Sequence, residues 1–126
     1  MVDRQDTGAS RPPLRLAQVN IARQRGDLDA PAMGGFLAAL EPVNRIADHS
    51  GGFVWRMRSE ASHGATTVRD GGYSMIVNVS VWESYEQLHA FVYRSPHSVY
   101  LRRRSRWFHP TPQPSTALWW WKATQH

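Results

Sequence analysis

Cysteine is absent from the 126 residues of the sequence. Disulfide bonds, thiolate metal sites and a cysteine nucleophile are therefore excluded, and the absence fits a reducing compartment. No segment approaches the run of roughly 18 apolar residues that a membrane-spanning helix requires. Residues 1–13, MVDRQDTGASRPP, lack the apolar region of a signal peptide. We interpret residues 1–13 as a flexible leader and expect a soluble protein of the cytoplasm.

Lysine is almost absent as well, since Lys122 is the one lysine among 15 basic residues. The net charge of +5 is carried by arginine, and basic patches can attract phosphates. The arginines, however, are scattered from Arg4 to Arg106 rather than gathered in one block. A preference for arginine over lysine of this kind often follows from a GC-rich genome. We therefore expect neither a nucleic-acid partner nor a membrane partner.

Complete catalytic signatures are also missing. The sequence contains no GxSxG, P-loop or GxGxxG motif, so triad hydrolysis and nucleotide binding have no support. Its six histidines show no HxH or HxxxH spacing, and a metal site would need ligands gathered from distant elements. The few carboxylates lie near helix starts and turns, where helix capping and stabilisation of the helix dipole are enough to explain their presence. We expect no metal ion.

Hydrophobic periodicity is the strongest positive signal in the sequence. A chain of 126 residues with 41% hydrophobic and 20% charged residues suits one globular domain, which we place at residues 14–126. Alternation of apolar and polar residues predicts four strands. These strands cover residues 14–22, 53–58, 73–82 and 116–122.

Helical spacing of apolar residues predicts two helical regions between these strands. The first covers residues 31–47, and Pro42 should kink it or split it in two. The second begins near residues 83–84 and restarts at Ser95-Pro96, with serine as N-cap and proline at the first helical position. The polar segment 59–72 is predicted to form a long hairpin connection.

The resulting order, β-α-β-β-α-β, predicts a ferredoxin-like α+β fold. Its first and third strands should lie side by side at the centre of an antiparallel sheet, with both helices on one face. The third strand is apolar on one face and carries no charged residue on the other. A sheet face exposed to water would be more polar, so we expect a second copy to cover it and form a homodimer.

The stretch SPHSVYLRRRSRWF, residues 95–108, combines arginines with aromatic residues. On a continuous helix, one face would contain His97, Tyr100, Leu101, Arg104, Trp107 and Phe108. Arg102, Arg103 and Arg106 would point elsewhere. The histidine could form a local hydrogen bond and Arg104 could extend past the aromatic rings to water. Alternatively, this face lines a cavity, where a buried cation needs an anion, a carbonyl or a ligand oxygen.

Polar side chains also share one face of two neighbouring strands. By alternation these are Gln18 and Asn20 on the first strand, and Asn78, Ser80 and Trp82 on the third. If both sets face the helices, they converge into an apolar pocket with a few polar groups, which is typical of small-molecule sites. Trp55 and either Trp119 or Trp120 could add flat walls. The alternative is that the amides pair internally and the tryptophans belong to the core.

Over residues 14–122 the chain resembles the dimeric α/β-barrel superfamily. The segments NVSVWESYEQLHAFVYRSPHSVYLRRRSRWF, LAQVNIA, EPVNRIA, GFVWR and LWWW are similar to one uncharacterised bacterial family within it. Asn20, and Asn78 followed by Trp82 in an Asn-x-x-x-Trp pattern, resemble residues of the cofactor-independent quinone-forming monooxygenases of aromatic polyketide biosynthesis.

The resemblance implies that a phenol or anthrone-like substrate loses a proton and then passes an electron to O₂. Asn20 and Asn78 would hold substrate oxygens, and Trp82 would stack on the ring or hydrogen-bond to the oxygen intermediate. His97 is the candidate base, and Arg104 could stabilise an enolate. Further contacts to substrate would come from Gln18, Ser80, Trp55, Tyr100 and Trp107. No flavin, haem or metal would be required.

Three hypotheses follow for the function. The chain could be a small enzyme, a monooxygenase or cyclase, acting on an aromatic or polyketide-like compound. It could also be a dimer that binds such a compound without transforming it. In the third hypothesis it is a structural dimer without a pocket, and the polar cluster is part of a satisfied core.

Overall fold

The computed structural model describes residues 14–28, 30–58, 66–70, 72–110 and 115–122. The predicted leader, residues 1–13, lies outside these ranges. No helix within them is long and apolar enough to cross a membrane. The elements in chain order are β1 (Leu14–Arg23), α1 (Gly34–Asp48), β2 (Phe53–Arg56), β3 (Thr66–Asp70), β4 (Tyr73–Trp82), α2 (Tyr85–Arg94), α3 (His97–Arg102) and β5 (Thr116–Lys122). Single 3₁₀ turns precede α1 and follow α3, at Pro31–Met33 and Arg104–Arg106.

The five strands form one antiparallel sheet with β1 and β4 at its centre. β1 pairs with β4 on one side and with β5 on the other, while β2 and β3 both pair with the outer edge of β4. The helices pack on one face of the sheet, which we call the helix face. The opposite face is called the outer face. The predicted ferredoxin-like α+β fold and its central strand pair are confirmed.

The predicted hairpin connection 59–72 is wrong in one respect, because it contains the strand β3. β2 ends opposite Ser80, and β3 resumes the pairing at Thr66 opposite Val77. The two strands therefore continue one another along the same edge of β4. β4 has ten residues and β2 only four, so without β3 the backbone groups of its first half would lack partners on that edge.

Pro42 was predicted to kink the first helix or to split it in two, and the split does not occur. α1 runs without interruption from Gly34 to Asp48 with Pro42 inside it. Proline removes the hydrogen bond to the carbonyl four residues earlier, here that of Ala38. Both Pro42 and Ala38 are exposed, so water can solvate the carbonyl that loses its donor.

The apolar core consists of two separate clusters beneath the helices. One contains Leu16, Trp82 and Leu88, and so joins the start of β1 and the end of β4 to α2. The other contains Leu28, Met33 and Trp107, beyond the end of β1. The middle of the helix face lies between these clusters, and its side chains there are mainly polar.

The start of α2 is fixed by reciprocal contacts between Ser84 and Gln87. The backbone N–H of Gln87 donates to Ser84 Oγ at 3.2 Å, and Ser84 Oγ donates to Gln87 Oε1 at 2.9 Å. Gly52, in the turn before β2, has a φ of 83° and lies against the Gln87 side chain. Glycine is favoured here by the positive φ, and a Cβ atom at this position would displace the Gln87 amide.

Replacing Gly52 with alanine should destabilise the protein more than replacing Gly72. Gly72 has a similar φ of 87°, but no described atom lies within 4 Å of its Cβ position. Alanine in this left-handed region costs about 1–2 kcal/mol at either position. At Gly52 the displacement of Gln87 should cost about 1 kcal/mol more through its lost hydrogen bond. Urea unfolding measures both variants, and equal losses would contradict this explanation.

Candidate active site

A cavity of about 670 Å³ lies on the helix face between the two core clusters. This volume is in the range of small-molecule sites. The central strands provide its polar floor, while aromatic side chains from the helices and the following segment provide its walls. These wall residues include Phe36, Phe91, Tyr100, Trp107 and Phe108.

The register of β1 against β4 sets the floor of the cavity. Asn20 lies directly opposite Asn78, and Gln18 lies opposite Ser80. Directly opposed side chains on one sheet face have Cβ atoms about 4.5–5.5 Å apart. The predicted convergence of these four side chains therefore occurs on the helix face, with Asn20, Asn78 and Ser80 lining the cavity.

Gln18 is buried below this floor and orients its neighbours. Its Nε2 donates to Asn78 Oδ1 at 2.6 Å and to Ser80 Oγ at 2.8 Å, and the residue is 7% exposed. Because Asn78 uses its oxygen as acceptor, its Nδ2 remains without a partner among the described residues. Gln18 therefore does not line the cavity itself but orients Asn78 and Ser80, which do.

Trp82 borders the cavity but is almost completely buried. It is 1% exposed, and its ring packs against Phe53 and Phe91 at centroid distances of 5.5 and 5.2 Å. Its Nε1–H donates to Ser80 Oγ at 2.8 Å. Ser80 Oγ thus accepts from both Gln18 and Trp82, which leaves its own hydrogen available to donate.

Asn20 completes the set of donors. Thr116 Oγ1 donates to Asn20 Oδ1 at 3.1 Å, so Asn20 Nδ2 has no partner among the described residues. Asn20 Nδ2, Asn78 Nδ2 and Ser80 Oγ–H are therefore three donors on one floor. Donors arranged side by side in a largely apolar cavity can stabilise an oxyanion.

His97 provides a basic nitrogen on the cavity wall. Its Nδ1 lies 3.1 Å from the Val92 carbonyl oxygen; because a carbonyl accepts only, Nδ1 carries the proton. Nε2 then has a free lone pair and no partner among the described residues. Burial lowers the pKa of His97, and the hydrogen bond to Val92 opposes that shift only in part. The ring is therefore neutral at neutral pH.

The predicted continuous helix over residues 96–108 is interrupted. α3 ends at Arg102, and a 3₁₀ turn covers Arg104–Arg106. All six residues predicted to share a face nevertheless line the cavity. Arg104 is exposed at its edge, and its Nη1 donates to the Leu101 carbonyl at 2.8 Å. Arg102, predicted to point away, also lines the cavity.

The predicted tryptophan walls are not formed in this chain. A register shift between Phe53 and Trp55 places Phe53 opposite Trp82 on the helix face, but Trp55 opposite Val81 on the outer face. Trp55 is 51% exposed there. Simple alternation cannot anticipate such a bulge. Trp119 also lies on the outer face, opposite Ala17, and Trp120 is on the helix face but outside the cavity.

Sequence reasoning missed three basic residues of the cavity, Arg25, Arg56 and His109. Arg56 donates to Asp48 through Nε at 2.7 Å and Nη2 at 3.2 Å. This hydrogen-bonded pair lowers the pKa of Asp48. No local sequence pattern identifies these three residues as part of a cavity, because the contacts that bring them there join elements that are distant in the sequence. Within the described ranges, no three side chains form a potential metal site.

Comparison with known proteins places the chain among related folds. A family model described as a domain of unknown function (DUF3291) matches residues 15–126, whereas no curated protein matches the chain. The NE2512 protein of unknown function from Nitrosomonas europaea is similar in structure, with a TM-score of 0.53 and 12% identity over 91% of this chain and 94% of that chain. This likeness supports the fold.

Two oxygenases are also similar in structure. SnoaB, a cofactor-independent oxygenase from Streptomyces nogalater, has a TM-score of 0.48 and 20% identity over 89% of this chain and 95% of that chain. A monooxygenase from the gene ActVA-Orf6 of Streptomyces coelicolor, in complex with Nanaomycin D, has a TM-score of 0.41 and 18% identity, with coverages of 92% and 91%. The enzymes named by the sequence resemblance are thus among the proteins to which this chain is similar.

The lowered pKa of His97 predicts a specific dependence of stability on pH. Below about pH 6.5 the unfolded state binds a proton at this residue that the folded state does not. Stability is therefore lost as the pH falls from about 6.5 through the folded pKa. The His97→Asn variant should lose less stability over that range. Urea unfolding at several pH values tests this, and a constant difference between wild type and variant would contradict it.

Proposed function

The chain belongs to the DUF3291 family, and we propose that it is an enzyme that oxidises an electron-rich aromatic compound with O₂. The substrate class is a phenol or an anthrone-like compound, bound in the cavity between the sheet and the helices. No organic cofactor or metal takes part in the proposed reaction. A closely packed interior would favour a purely structural dimer, but the cavity of about 670 Å³ favours a ligand.

The observation that carries this proposal is the pairing of a base with oxyanion donors in one cavity. His97 Nε2 has a free lone pair, and the burial that lowers the pKa of this histidine keeps it neutral. Asn20 Nδ2, Asn78 Nδ2 and Ser80 Oγ–H supply donors from the floor. A group that removes a proton and groups that stabilise the resulting negative charge are the two requirements for forming a phenolate or enolate.

The chemistry balances with O₂ as the oxidant. His97 Nε2 accepts a proton from the substrate, and the electron-rich anion transfers one electron to O₂. Recombination of the resulting radical pair forms a C–O bond and a peroxide. Loss of water then converts a CH₂ group into a carbonyl group, with one oxygen atom in the product and the other in water. His97 can return its proton to the departing hydroxide.

A binding protein without turnover is the second candidate, and one observation favours it. Trp82 was predicted to contact the oxygen intermediate, yet its N–H donates to Ser80 and its ring is buried. In the proposed enzyme, Trp82 would therefore act as a positioning residue for Ser80. In a binding protein the same contacts would only shape the cavity.

Oxygen uptake with anthrone should distinguish the two candidates. Wild-type protein should accelerate O₂ consumption and quinone formation in the presence of EDTA. His97→Asn and Asn78→Ala should each reduce kcat by about 10²-fold or more, the usual size of general-base and oxyanion contributions. Arg106→Gln, a change in the same segment but outside the cavity, is the control. If wild-type protein binds anthrone but does not consume it, the result would favour a binding protein without turnover.

We further propose that the enzyme is a homodimer joined through the outer face of the sheet. This face exposes Ile21, Trp55, Trp119 and Trp121 at 39–51% of their surfaces. A continuous apolar face of this kind is typical of a protein interface. A second copy related by two-fold symmetry would bury this outer face. Each cavity would remain on the helix face of its own subunit.

Light scattering at micromolar concentration should give twice the mass of the chain. Trp119→Glu should convert the protein to a monomer, because it places a charge in the proposed interface without altering a residue of the cavity. Tyr93→Glu is the control, since Tyr93 is also an exposed apolar side chain, at 57%, but belongs to α2 rather than to the sheet. A monomeric wild-type protein would disprove the proposed dimer.

A further inference from the structure

The charge on the cavity wall is strongly one-sided. Six cationic or titratable basic side chains line the cavity, namely Arg25, Arg56, His97, Arg102, Arg104 and His109. No aspartate or glutamate is among the described residues of this lining. Arg56 is neutralised by Asp48, which it contacts through two hydrogen bonds. Within the described part of the chain, no carboxylate forms an ion pair with the other three arginines.

Arg25 is fixed in position at one end of the cavity. Its backbone N–H donates to the Trp107 carbonyl at 2.8 Å, and its Nε donates to the Ser105 carbonyl at 2.8 Å. Gln24 next to it forms a β-bridge with Phe108. An arginine held in this way loses little conformational entropy when its remaining N–H groups bind a ligand.

His109 extends the same group of donors. Its Nδ1 lies 3.4 Å from Arg25 Nη1. Arginine can only donate, so His109 Nδ1 accepts in this contact and Nε2 is left as the donor of the ring. The two acceptors that the Arg25 side chain contacts, the Ser105 carbonyl and His109 Nδ1, are therefore already used. The groups that remain on Arg25 and His109 are all donors.

Arg102 and Arg104 flank this pair from the adjoining segment. Arg104 immediately precedes Ser105, whose carbonyl holds Arg25. Among the described residues, no carboxylate forms an ion pair with Arg25, Arg102 or Arg104. Concentrating positive charge at a partly apolar concave surface raises the local affinity for anions.

We propose that Arg25 and His109 form an anion subsite that binds a carboxylate group on the ligand, with Arg102 and Arg104 adding positive potential. The substrate class is therefore a hydroxylated polycyclic aromatic carboxylic acid. Its ring occupies the aromatic part of the cavity and its carboxylate lies at the Arg25 end. A planar carboxylate matches the parallel donors of a guanidinium group. This inference relies on the proposed function only in taking the cavity as the substrate site.

The test uses two ligands that differ only in the carboxylate, 6-hydroxy-2-naphthoate and 2-naphthol. Calorimetry on the full-length protein should show that the carboxylate binds about tenfold or more tightly. Arg25→Gln should abolish this preference, because it should weaken the binding of 6-hydroxy-2-naphthoate far more than the binding of 2-naphthol; a wild-type circular dichroism spectrum demonstrates that the variant folds. Arg25→Lys should retain part of the preference. Arg106→Gln, which alters an arginine outside the cavity, should retain all of it.

Equal wild-type affinity for the two ligands, or a preference that survives in Arg25→Gln, would overturn the subsite. Failure of both ligands to bind would overturn the subsite and the proposed function together. Preferential binding of the carboxylate without O₂ consumption would overturn the proposed oxidation alone and leave the subsite intact.

Discussion

The pairing of β1 with β4 determines which side chains meet beneath the helices. In the observed register Asn20 opposes Asn78 and Gln18 opposes Ser80. A slip of one residue would turn the polar side chains of one strand to the outer face. The apolar pairs at the ends of the strands prevent this, because Leu16 and Trp82 pack together on the helix face with Leu88. The core thus fixes the register, and the register assembles the polar floor.

Gln18 links stability to the proposed chemistry. A buried amide without partners costs about 1–3 kcal/mol, and Gln18 avoids part of this cost by donating to Asn78 and Ser80. Together with the hydrogen bonds from Trp82 to Ser80 and from Thr116 to Asn20, these two bonds occupy the acceptors of the floor and leave donors facing the cavity. Since the network is connected, a change at Gln18 would alter the orientation of Asn78 as well as the stability of the sheet.

Much of this arrangement could be predicted from the sequence because it depends on local periodicity. Alternation placed Asn78, Ser80 and Trp82 on one face, and helical spacing grouped His97 with Tyr100 and Trp107. Features that depend on tertiary pairing were missed. The bulge that turns Trp55 outward, and the strand β3 that completes the edge of β4, result from contacts with β4 rather than from their own residues.

The cationic end of the cavity was missed for the same reason. Arg25 and His109 are 84 residues apart in the chain, and each belongs to a segment that reads as a loop. They meet because Gln24 and Phe108 form a bridge beside β1. The run of arginines near residue 104 was visible, but helical spacing pointed Arg102 away from the cavity, whereas Arg102, the last residue of α3, is among the residues that line it.

The ionisation of a bound phenol tests the central claim most directly. Absorbance distinguishes 2-naphthol from its naphtholate, so the pKa of the bound ligand can be measured across pH. If Asn20, Asn78 and Ser80 donate to the ligand oxygen, this pKa should fall on binding to wild-type protein and should recover in Asn78→Ala. A bound naphthol whose pKa equals or exceeds that of the free compound would contradict the proposed oxyanion site.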